Sequence, residues 1–228
     1  MSKTVKVEEK IRAKGHEIAQ ELRGFFRRRG IYVVNLIGSP GSGKTSLLEC
    51  MAPRIRAYAA VIEGDLETDE DKVRAERAGL RAFQINTVGA CHLDAAMVRD
   101  ALTRFSLDNA GLLFIENVGN LVCPAAFEIG EDIKVVVVSV AEGDDKPAKY
   151  PSAMRAASAL VVTKSDLLPY VSCDVDRIRR DAGTYRADMP VFLTSAKTGE
   201  GVADFLAWIE EQARRRRAVD AAGFLDQG

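Results

Sequence analysis

The residues with the clearest chemical use lie between Gly38 and Thr45, in the sequence GSPGSGKT. Their spacing matches G-x-x-x-x-G-K-S/T, a phosphate-binding loop, and the motif stands between an apolar run and a helix-forming segment. Glycines let backbone N–H groups point at an anion, while Lys44 can reach the β- and γ-phosphates and the Thr45 hydroxyl can bind Mg²⁺. The sequence therefore predicts a nucleoside triphosphate site rather than a turn that only joins a strand to a helix. The other loop residues that we expect at the nucleotide are Ser39, Gly41, Ser42, Gly43 and Ser46.

Two short motifs further along the chain predict which base the site selects. Thr163-Lys164-Ser165-Asp166 resembles the Asn-Lys-x-Asp motif of GTPases, in which the aspartate accepts hydrogen bonds from guanine N1–H and N2–H₂. A site built for these bonds strongly rejects a base that lacks the donors. Ser195-Ala196-Lys197 follows the next apolar run and resembles the loop that contacts the guanine carbonyl oxygen. Together the motifs favour GTP over ATP; an ordinary helix-start pair at Lys164 and Asp166 is the alternative.

Carboxylates after two predicted strands are candidates for holding Mg²⁺, which takes oxygen ligands, often through water. Asp65 follows the run AAVIE, and Glu116 follows GLLFI and begins the segment Glu116-Asn117-Val118-Gly119. GTPases usually have Asp-x-x-Gly here, and the glycine N–H senses the γ-phosphate. We expect Thr45, Asp65 and Glu116 to hold Mg²⁺ and, with Lys44, to form the catalytic set. No glutamine follows Gly119, so slow intrinsic hydrolysis is predicted.

A second group of residues suits a transition metal. Cys91 and His92 are adjacent, and Cys123 lies four residues after Gly119. Thiolate and imidazole are ligands suited to Zn²⁺ and Ni²⁺. In a doubly wound sheet we expect both segments to leave neighbouring strand ends beside the nucleotide pocket, so that the three side chains converge. Two copies in a symmetric dimer could share such a site; buried cysteines and a helix-capping histidine are the alternative.

Apolar runs that alternate with helical stretches must position these residues. Continuous apolarity is typical of strands buried on both faces, and the alternation predicts a mostly parallel sheet covered by helices. The predicted fold class is therefore α/β, a doubly wound P-loop NTPase sheet of about seven strands with helices on both faces. The predicted strands are 31–37, 59–63, 81–86, 111–115, 133–140, 159–163 and 190–194, and the intervening helices are 67–78, 93–105, 174–182 and 202–214.

The chain divides into three predicted parts. Residues 1–30 have apolar side chains at spacings of four and seven, which predicts an amphipathic helix that packs on the nucleotide domain or docks a partner. Residues 31–213 form the predicted GTPase domain. Residues 214–228 form a basic, frayed tail, whose arginines at 214–217 indicate a solvated helix end rather than a nucleic-acid site.

Composition restricts where the protein works and on what. The chain has 228 residues and a net charge of -1, so no global basic field indicates a nucleic-acid partner. It contains no apolar stretch of about 18 residues and no apolar signal core, so we expect neither a membrane partner nor export. We therefore expect a cytoplasmic location, where four widely spaced cysteines favour reactivity or metal binding over disulfides.

The sequence resembles the HypB family, the nickel-inserting GTPase accessory proteins of nickel–iron hydrogenase maturation, in seven segments: GSPGSGKT, EGDLETDEDKVRAERAG, QINTVGACHLDA, IENVGNLVCPAAFEIGE, EGDDKPAKYP, TKSDLLPY and SAKTGEG. The resemblance covers residues 31–210. It implies a GTP-dependent homodimer whose interface holds nickel or zinc through Cys91, His92 and Cys123. It also implies exchange with a HypA-like metallochaperone, delivery to a hydrogenase large subunit precursor, and nucleotide or dimer contacts from residues 144–147.

Three alternatives remain at this point. A urease-type nickel GTPase is close, but that family usually places proline between the cysteine and the histidine, and here Cys91 adjoins His92. A metal-storage protein with a degenerate phosphate loop is disfavoured by the intact Lys44 and Thr45. A nucleotide kinase would need a lid of arginines and a second base pocket, and the sequence offers no clear candidate for either.

Overall fold

The apolar runs form one parallel sheet. The computed structural model describes residues 3–55, 57–65 and 70–225, and the side chains of residues 13–55, 57–65 and 70–222. Its strands are β1 Tyr32–Gly38, β2 Ala59–Asp65, β3 Arg81–Asn86, β4 Leu112–Glu116, β5 Ile133–Ser139, β6 Ala159–Thr163 and β7 Val191–Leu193. Within the described residues these seven strands lie in the order β3-β2-β4-β1-β5-β6-β7, and each neighbouring pair is parallel. The predicted fold class is confirmed.

Helices cover both faces of the sheet. They are α1 Lys3–Arg28, α2 Lys44–Met51, α3 Glu70–Arg77, α4 Ala95–Ala101, α5 Lys146–Lys149, α6 Pro151–Ala156, α7 Val175–Gly183 and α8 Val202–Leu225, with 3₁₀ turns at Ala52–Arg54, Pro124–Ala126, Val140–Glu142 and Ser165–Tyr170. On one face α2, α3 and α8 pack around residues such as Phe114. On the other face α1 and α4 pack beside β1, β2 and β4, while α6 and α7 pack beside β5 and β6.

The central strand β1 is buried along its whole length because alternate side chains enter both cores. Val34 and Leu36 belong to the core of one face, and Val33 belongs to the core of the other. The chain winds to one side of β1 to form β2 and β3 and to the other side to form β5, β6 and β7. Ligands of such sheets bind at the carboxyl ends of the strands where the winding changes direction. The phosphate loop follows β1 at that point.

The sequence predicted that the segments with Cys91 and Cys123 follow neighbouring strands. This prediction is wrong, because the two strands are not neighbours in the sheet. The Cys91 segment follows β3 and Cys123 lies after β4, with β2 between them. The segment after β3 crosses the end of β2 instead, where Gly64 leaves room for it. A Cβ atom on Gly64 would lie 2.7 Å from Leu93 Cγ. The cysteine segments therefore meet because one loop passes over an intervening strand.

Helix α1 packs on the nucleotide domain, as one of the two predicted interpretations has it. Ile18, Leu22 and Phe26 are buried in the core on the α1 and α4 face. The helix ends two residues before Gly30, whose φ of 68° lies in the region that glycine adopts most easily. Among the described helices none is long and apolar enough to cross a membrane.

Helix α8 continues past Arg214 to Leu225, so its predicted end at residue 214 is wrong, and so is the predicted frayed tail as far as Leu225. Arg216 pairs with Asp132 at 3.3 Å and its side chain is 9 % exposed. It also donates a hydrogen bond of 2.9 Å to Ile31 O. Arg216 thereby fixes the helix to the start of β1. The solvated-end interpretation holds for Arg214 and Arg215, whose exposed side chains pair with Glu211.

Candidate nucleotide and metal sites

The phosphate loop connects β1 to α2 and borders a cavity of about 460 Å³, a size typical of small-molecule sites. Gly41 and Gly43 have φ angles of 72° and 91°, which glycine adopts without strain. Lys44 Nζ lies 3.4 Å from the carbonyl oxygen of Gly38 and 3.5 Å from that of Ser39. Predicted site residues that line the cavity are Gly41, Gly43, Lys44, Thr45, Ser46, Asp65, Glu116 and Lys164. Gly38, Ser39 and Ser42 belong to the loop but lie outside this lining.

Thr163 connects the phosphate loop to the sheet, although it stands where GTPases carry asparagine. Its hydroxyl donates hydrogen bonds to Ser42 O at 2.6 Å and to Val138 O at 3.2 Å. A Cβ atom on Gly43 would lie 3.3 Å from this hydroxyl, so the loop passes close to β6. The threonine thus ties the base-reading segment to the phosphate loop directly.

A second cavity of about 220 Å³ adjoins the first and is bordered by the predicted guanine-reading residues. Lys164 Nζ donates a hydrogen bond of 2.7 Å to Gly41 O, so its stem crosses the loop. Asp166 Oδ1 accepts a hydrogen bond of 2.6 Å from Ser195 Oγ. Ala196 and Lys197 line this cavity, as does Asp166, whereas Ser195 is fully buried behind it. Ser195 is therefore placed to orient the aspartate rather than to touch the base.

Glu116 lies beneath the phosphate loop in a position that suits a divalent cation. Thr45 Oγ1 donates a hydrogen bond of 2.8 Å to Glu116 Oε1. Glu116 Oε2 is buried without a hydrogen-bond partner within the described part of the chain. Burial raises the pKa of Glu116 to about 7, against the opposing effects of Lys44 and the Thr45 hydroxyl. Since a cation favours an ionised carboxylate, the unpartnered oxygen and the nearby Asp65 fit the predicted Mg²⁺ role.

Cys91, His92 and Cys123, which we call the metal cluster, converge at the end of the sheet. Their ligand atoms lie within 4.8 Å of one another. Cys91 Sγ lies 3.5 Å from His92 Nδ1, and the His92 ring stacks on Phe127 with the centroids 4.3 Å apart. Two thiols and an imidazole in this arrangement can bind Ni²⁺ or Zn²⁺.

The pKa shifts at the metal cluster favour a neutral His92 ring, which can bind a metal, and disfavour the thiolate form of Cys91. Burial lowers the pKa of His92, which keeps the ring neutral. A hydrogen bond with the Cys123 thiol is the main cause that raises the pKa of Cys91. A metal ion must therefore displace a thiol proton when it binds Cys91.

The segment Glu116 to Asn120, which we call the sensor segment, contacts the phosphate loop closely. Gly119 packs on Pro40, and a Cβ atom at position 119 would lie 2.8 Å from Pro40 Cγ. The backbones of Gly38 and Asn120 form an isolated antiparallel bridge. Only glycine fits at position 119 without moving the phosphate loop.

The same sensor segment is hydrogen-bonded to the loop that carries two of the metal cluster residues. Asn117 Oδ1 accepts a hydrogen bond of 2.9 Å from Leu93 N. Asn120 Nδ2 donates one of 3.3 Å to Cys91 O. Nucleotide cavity and metal cluster therefore share one segment of backbone.

Comparison with known proteins places this site in a family. The nucleotide-binding domain of the CobW/HypB/UreG group matches residues 32–193. The hydrogenase maturation factor HypB of Azotobacter vinelandii is 47 % identical over 224 residues, which are 96 % of this chain and 74 % of that protein. The HypB of Escherichia coli strain K12 is 46 % identical over 210 residues, which are 91 % of this chain and 72 % of that protein. This chain belongs to the HypB family.

Solved structures of HypB proteins have the same fold. HypB from Helicobacter pylori, crystallised in complex with nickel, matches with a TM-score of 0.85 at 37 % identity over 90 % of this chain and 97 % of that one. HypB from Archaeoglobus fulgidus matches with a TM-score of 0.81 at 36 % identity, over 88 % of this chain and 99 % of that one. The 54 kDa signal recognition particle protein of Aeropyrum pernix, at 17 % identity and a TM-score of 0.55, shares the fold alone.

Two charged residues of α3 line the nucleotide cavity of this HypB-family protein, and sequence reasoning missed them. Arg74 and Asp71 both border the cavity and pair at 3.1 Å. Arg74 also donates two hydrogen bonds to Glu49 of α2, at 2.6 and 2.9 Å, and one of 3.1 Å to Ser46 Oγ. Their i,i+3 spacing after the end of β2 was the signal that could have identified them.

Glu63 is a third residue that sequence reasoning missed. It is 1 % exposed on β2, and β-sheet register places it beside Glu116 of β4. Neither of its carboxylate oxygens has a hydrogen-bond partner within the described ranges. Burial, with a further contribution from Glu116, raises the pKa of Glu63 to about 8. A second buried acid thus lies directly next to the predicted Mg²⁺ ligand.

Residues 144–147 do not line either nucleotide cavity. Asp144 accepts hydrogen bonds from Arg177 Nη1 at 2.8 Å and from Asp174 N at 3.1 Å. Asp145 pairs with Lys149 at 2.6 Å. In this structure the segment fastens α5 to the start of α7, and its nucleotide or dimer contacts stay a prediction.

Proposed function

We propose that this protein hydrolyses GTP and couples the nucleotide cycle to nickel insertion during the maturation of nickel–iron hydrogenases. Relatives of 46 and 47 % identity are hydrogenase maturation factors, and a structurally similar HypB binds nickel in its crystal. One observation carries the coupling: the sensor segment lines the nucleotide cavity and is hydrogen-bonded to the Cys91 loop. A change at the γ-phosphate therefore has a short mechanical path to the metal ligands.

We assign nucleotide binding and hydrolysis to residues 31–213. The phosphate loop and Lys44 hold the phosphates, and Asp166, oriented by Ser195, accepts the two guanine donors. Bound Mg²⁺ supplies positive charge to the transferred phosphoryl group. Thr45 and Glu116 hold that ion, and Asp65 borders the same space.

Slow intrinsic hydrolysis is part of this proposal. Asn120 follows Gly119, where another GTPase could carry a residue that orients the attacking water. Its side chain is already engaged, because Nδ2 donates to Cys91 O and Oδ1 accepts a hydrogen bond of 2.8 Å from Val122 N. Asn120 is therefore a structural connection between the two sites rather than a water-positioning residue.

We propose that nickel is held by the metal cluster at the interface of a GTP-dependent homodimer. Three ligands leave part of a metal coordination sphere open for a group from elsewhere. The exposed apolar side chains of Val88 and Val122 lie in the two loops that carry the cluster and suit burial against a partner. A HypA-like metallochaperone and a hydrogenase large subunit precursor are the proposed exchange partners, in the cytoplasm.

Nickel titration of the purified protein tests this function. We compare wild type with Cys91→Ala, in the GDP state and with a non-hydrolysable GTP analogue, and follow molecular mass by light scattering. Cys173→Ala is the matched control, since Cys173 is a half-buried free cysteine outside the metal cluster. We expect Cys91→Ala to lose tight nickel binding and nickel-linked dimer formation while it retains GTP hydrolysis. Equal nickel binding by the two alanine variants would refute the assigned site.

Nickel delivery to urease is a second candidate function, in addition to hydrogenase. The relative from Helicobacter hepaticus, 42 % identical over 92 % of this chain, is a hydrogenase/urease maturation factor. Deletion of the gene in its host, followed by assay of both enzymes with and without added nickel, separates the two. Loss of hydrogenase activity alone supports the first proposal.

A further inference from the structure

A buried lysine lies behind the metal cluster and takes no part in the nucleotide chemistry described above. Lys134 is on β5, and its side chain is 7 % exposed. Its ammonium donates hydrogen bonds to Pro124 O at 2.9 Å and to Phe127 O at 2.8 Å. Pro124 begins the 3₁₀ turn that Cys123 caps, and Phe127 follows that turn, so one ammonium holds backbone carbonyls at both of its ends.

The Lys134 ammonium also helps to position His92 of the metal cluster, through Phe127. The Phe127 carbonyl accepts the bond from Lys134, and the Phe127 ring stacks on His92 with an interplanar angle of 20°. Cys123 and His92, which come from different loops, are thus both positioned indirectly by Lys134, through the backbone carbonyls that its ammonium holds. Leaving Lys134 uncharged or absent would release both.

Lys134 is joined to the sensor segment by three further buried side chains. It pairs with Glu131 at 3.4 Å, and Glu131 Oε1 accepts a hydrogen bond of 3.2 Å from Asn35 Nδ2. Asn35 Oδ1 in turn accepts one of 3.3 Å from Asn117 Nδ2. We call Asn117, Asn35, Glu131 and Lys134 the polar chain. Counted over all atoms of the residue, each of its members is at most 6 % exposed.

The cost of burying the polar chain argues for a role beyond packing. Asn35 is at 0 % exposure in the middle of the central strand, where its neighbours are Val34 and Leu36. An apolar side chain at position 35 would avoid the desolvation of an amide, and apolar side chains at positions 131 and 134 would avoid that of a buried ion pair. Networks whose members are mutually hydrogen-bonded rigidify the elements they join. The hydrogen bonds of the polar chain join the sensor segment to both loops of the metal cluster.

We infer that the polar chain positions the metal ligands according to nucleotide state, with Asn117 as the input and Lys134 as the output. The inference rests on the proposed function, since it requires that nickel affinity depends on the nucleotide. Movement of the sensor segment shifts the Asn117 amide, which bonds Leu93 N at one end and Asn35 at the other. Both loops of the metal cluster then receive the displacement together, one directly and the other through Glu131 and Lys134.

Nickel titrations with GDP and with the GTP analogue test the inference in two variants. Glu131→Gln keeps the side-chain shape but removes the charge that faces Lys134, and Asn35→Leu interrupts the chain at its centre. Asp132→Asn is the matched control, because Asp132 is the next residue and also forms a buried ion pair, with Arg216. Circular dichroism confirms that each variant is folded, and the milder Glu131→Gln suffices if Asn35→Leu does not fold.

We expect the ratio of the two nickel dissociation constants to be about 5 or more in wild type and in Asp132→Asn, the lower range of typical coupling between sites. In Glu131→Gln and Asn35→Leu the ratio falls to within about twofold of one, and GTP hydrolysis continues. A wild-type ratio retained in both chain variants overturns the inference and leaves the proposed function intact. A ratio of one in wild type itself contradicts the proposed coupling as well as the inference.

Discussion

The phosphate loop comes from one continuous segment, whereas the metal cluster takes its ligands from two loops that follow strands separated by β2. Backbone groups and glycines shape the loop, so its geometry is local. The metal cluster, in contrast, comes together because the Cys91 loop crosses β2 and because several buried side chains support both loops. A locally built site should lose function mainly when its own residues change, or the few that pack directly on it, here Thr163 and Gly119. A site assembled by tertiary contacts should also respond to changes in residues that never touch the ligand.

The largest expected effect comes from the phosphate loop. Lys44→Ala should lower the rate of GTP hydrolysis by about 100-fold or more, since it removes a preorganised charge from the transferred phosphate. Nickel affinity in the GDP state should change little, because the Lys44 ammonium bonds carbonyls of the phosphate loop and neither loop of the metal cluster. Phosphate release and nickel titration measure the two effects, with Lys72→Ala on α3 as a control. Loss of nickel binding in Lys44→Ala would show that the sites are not separately built.

A large effect on stability is expected from Glu63. The pKa of Glu63 is raised to about 8 in the folded protein from an ordinary value of 4.5, so the folded state holds the extra proton between these two values. Its contribution to stability is therefore complete below about pH 4.5 and is lost as pH rises to about 8. Glu63→Gln should flatten this fall and stabilise the nucleotide-free protein at pH 8.5 by on the order of 3 kcal/mol.

Thermal and urea unfolding of the nucleotide-free, metal-free proteins across this pH range measures the effect. Glu116 contributes with the same sign, since burial raises its pKa to about 7, and it also raises the pKa of Glu63, so the difference between wild type and variant reports Glu63 together with its effect on Glu116. The exposed Glu17→Gln serves as the control. Parallel pH profiles of wild type and Glu63→Gln would contradict the assignment.

A smaller effect, on stability and on nickel affinity, should follow when a side chain is added at Gly64, where the Cys91 loop crosses β2. Gly64→Ala places a Cβ atom 2.7 Å from Leu93 Cγ, and overpacking of this kind typically costs about 1–3 kcal/mol. The displaced loop carries Cys91 and His92, so nickel affinity should fall more than affinity for the GTP analogue. Titrations with both ligands provide the comparison. Gly15→Ala, where a Cβ would meet nothing within 4 Å, should leave both affinities unchanged.

The smallest effect is expected from the hydrogen bond between the sensor segment and the Cys91 loop. Asn120→Ala removes the bond to Cys91 O, and such bonds typically contribute about 0.5–1.5 kcal/mol. Nickel affinity should therefore fall by at most about tenfold, while the rate of GTP hydrolysis is retained. A large loss of hydrolysis in this variant would identify Asn120 as a water-positioning residue after all.

The sequence predicted the sheet and the phosphate loop well because both depend on local patterns. Hydrophobic runs identify buried strands, and fixed glycine spacing identifies the loop. It also pointed to the three metal-cluster residues, but for the wrong geometric reason, since the order of strands is not a local property. Gly64 as a space for Leu93, and Asn35 as a link to Glu131, depend on pairs of residues far apart in the chain. Arg216 was misread for the same reason: its partner Asp132 lies 84 residues away.

Reciprocal binding tests the central claim, that one segment serves both sites, most directly. Affinity for the GTP analogue is measured by calorimetry with nickel-free protein and again with nickel-saturated protein. Thermodynamic linkage requires nickel to change nucleotide affinity by the same factor by which the nucleotide changes nickel affinity. We expect a factor of about 5 or more in wild type that disappears in Cys91→Ala. An affinity for the analogue that is the same with and without nickel would contradict the account.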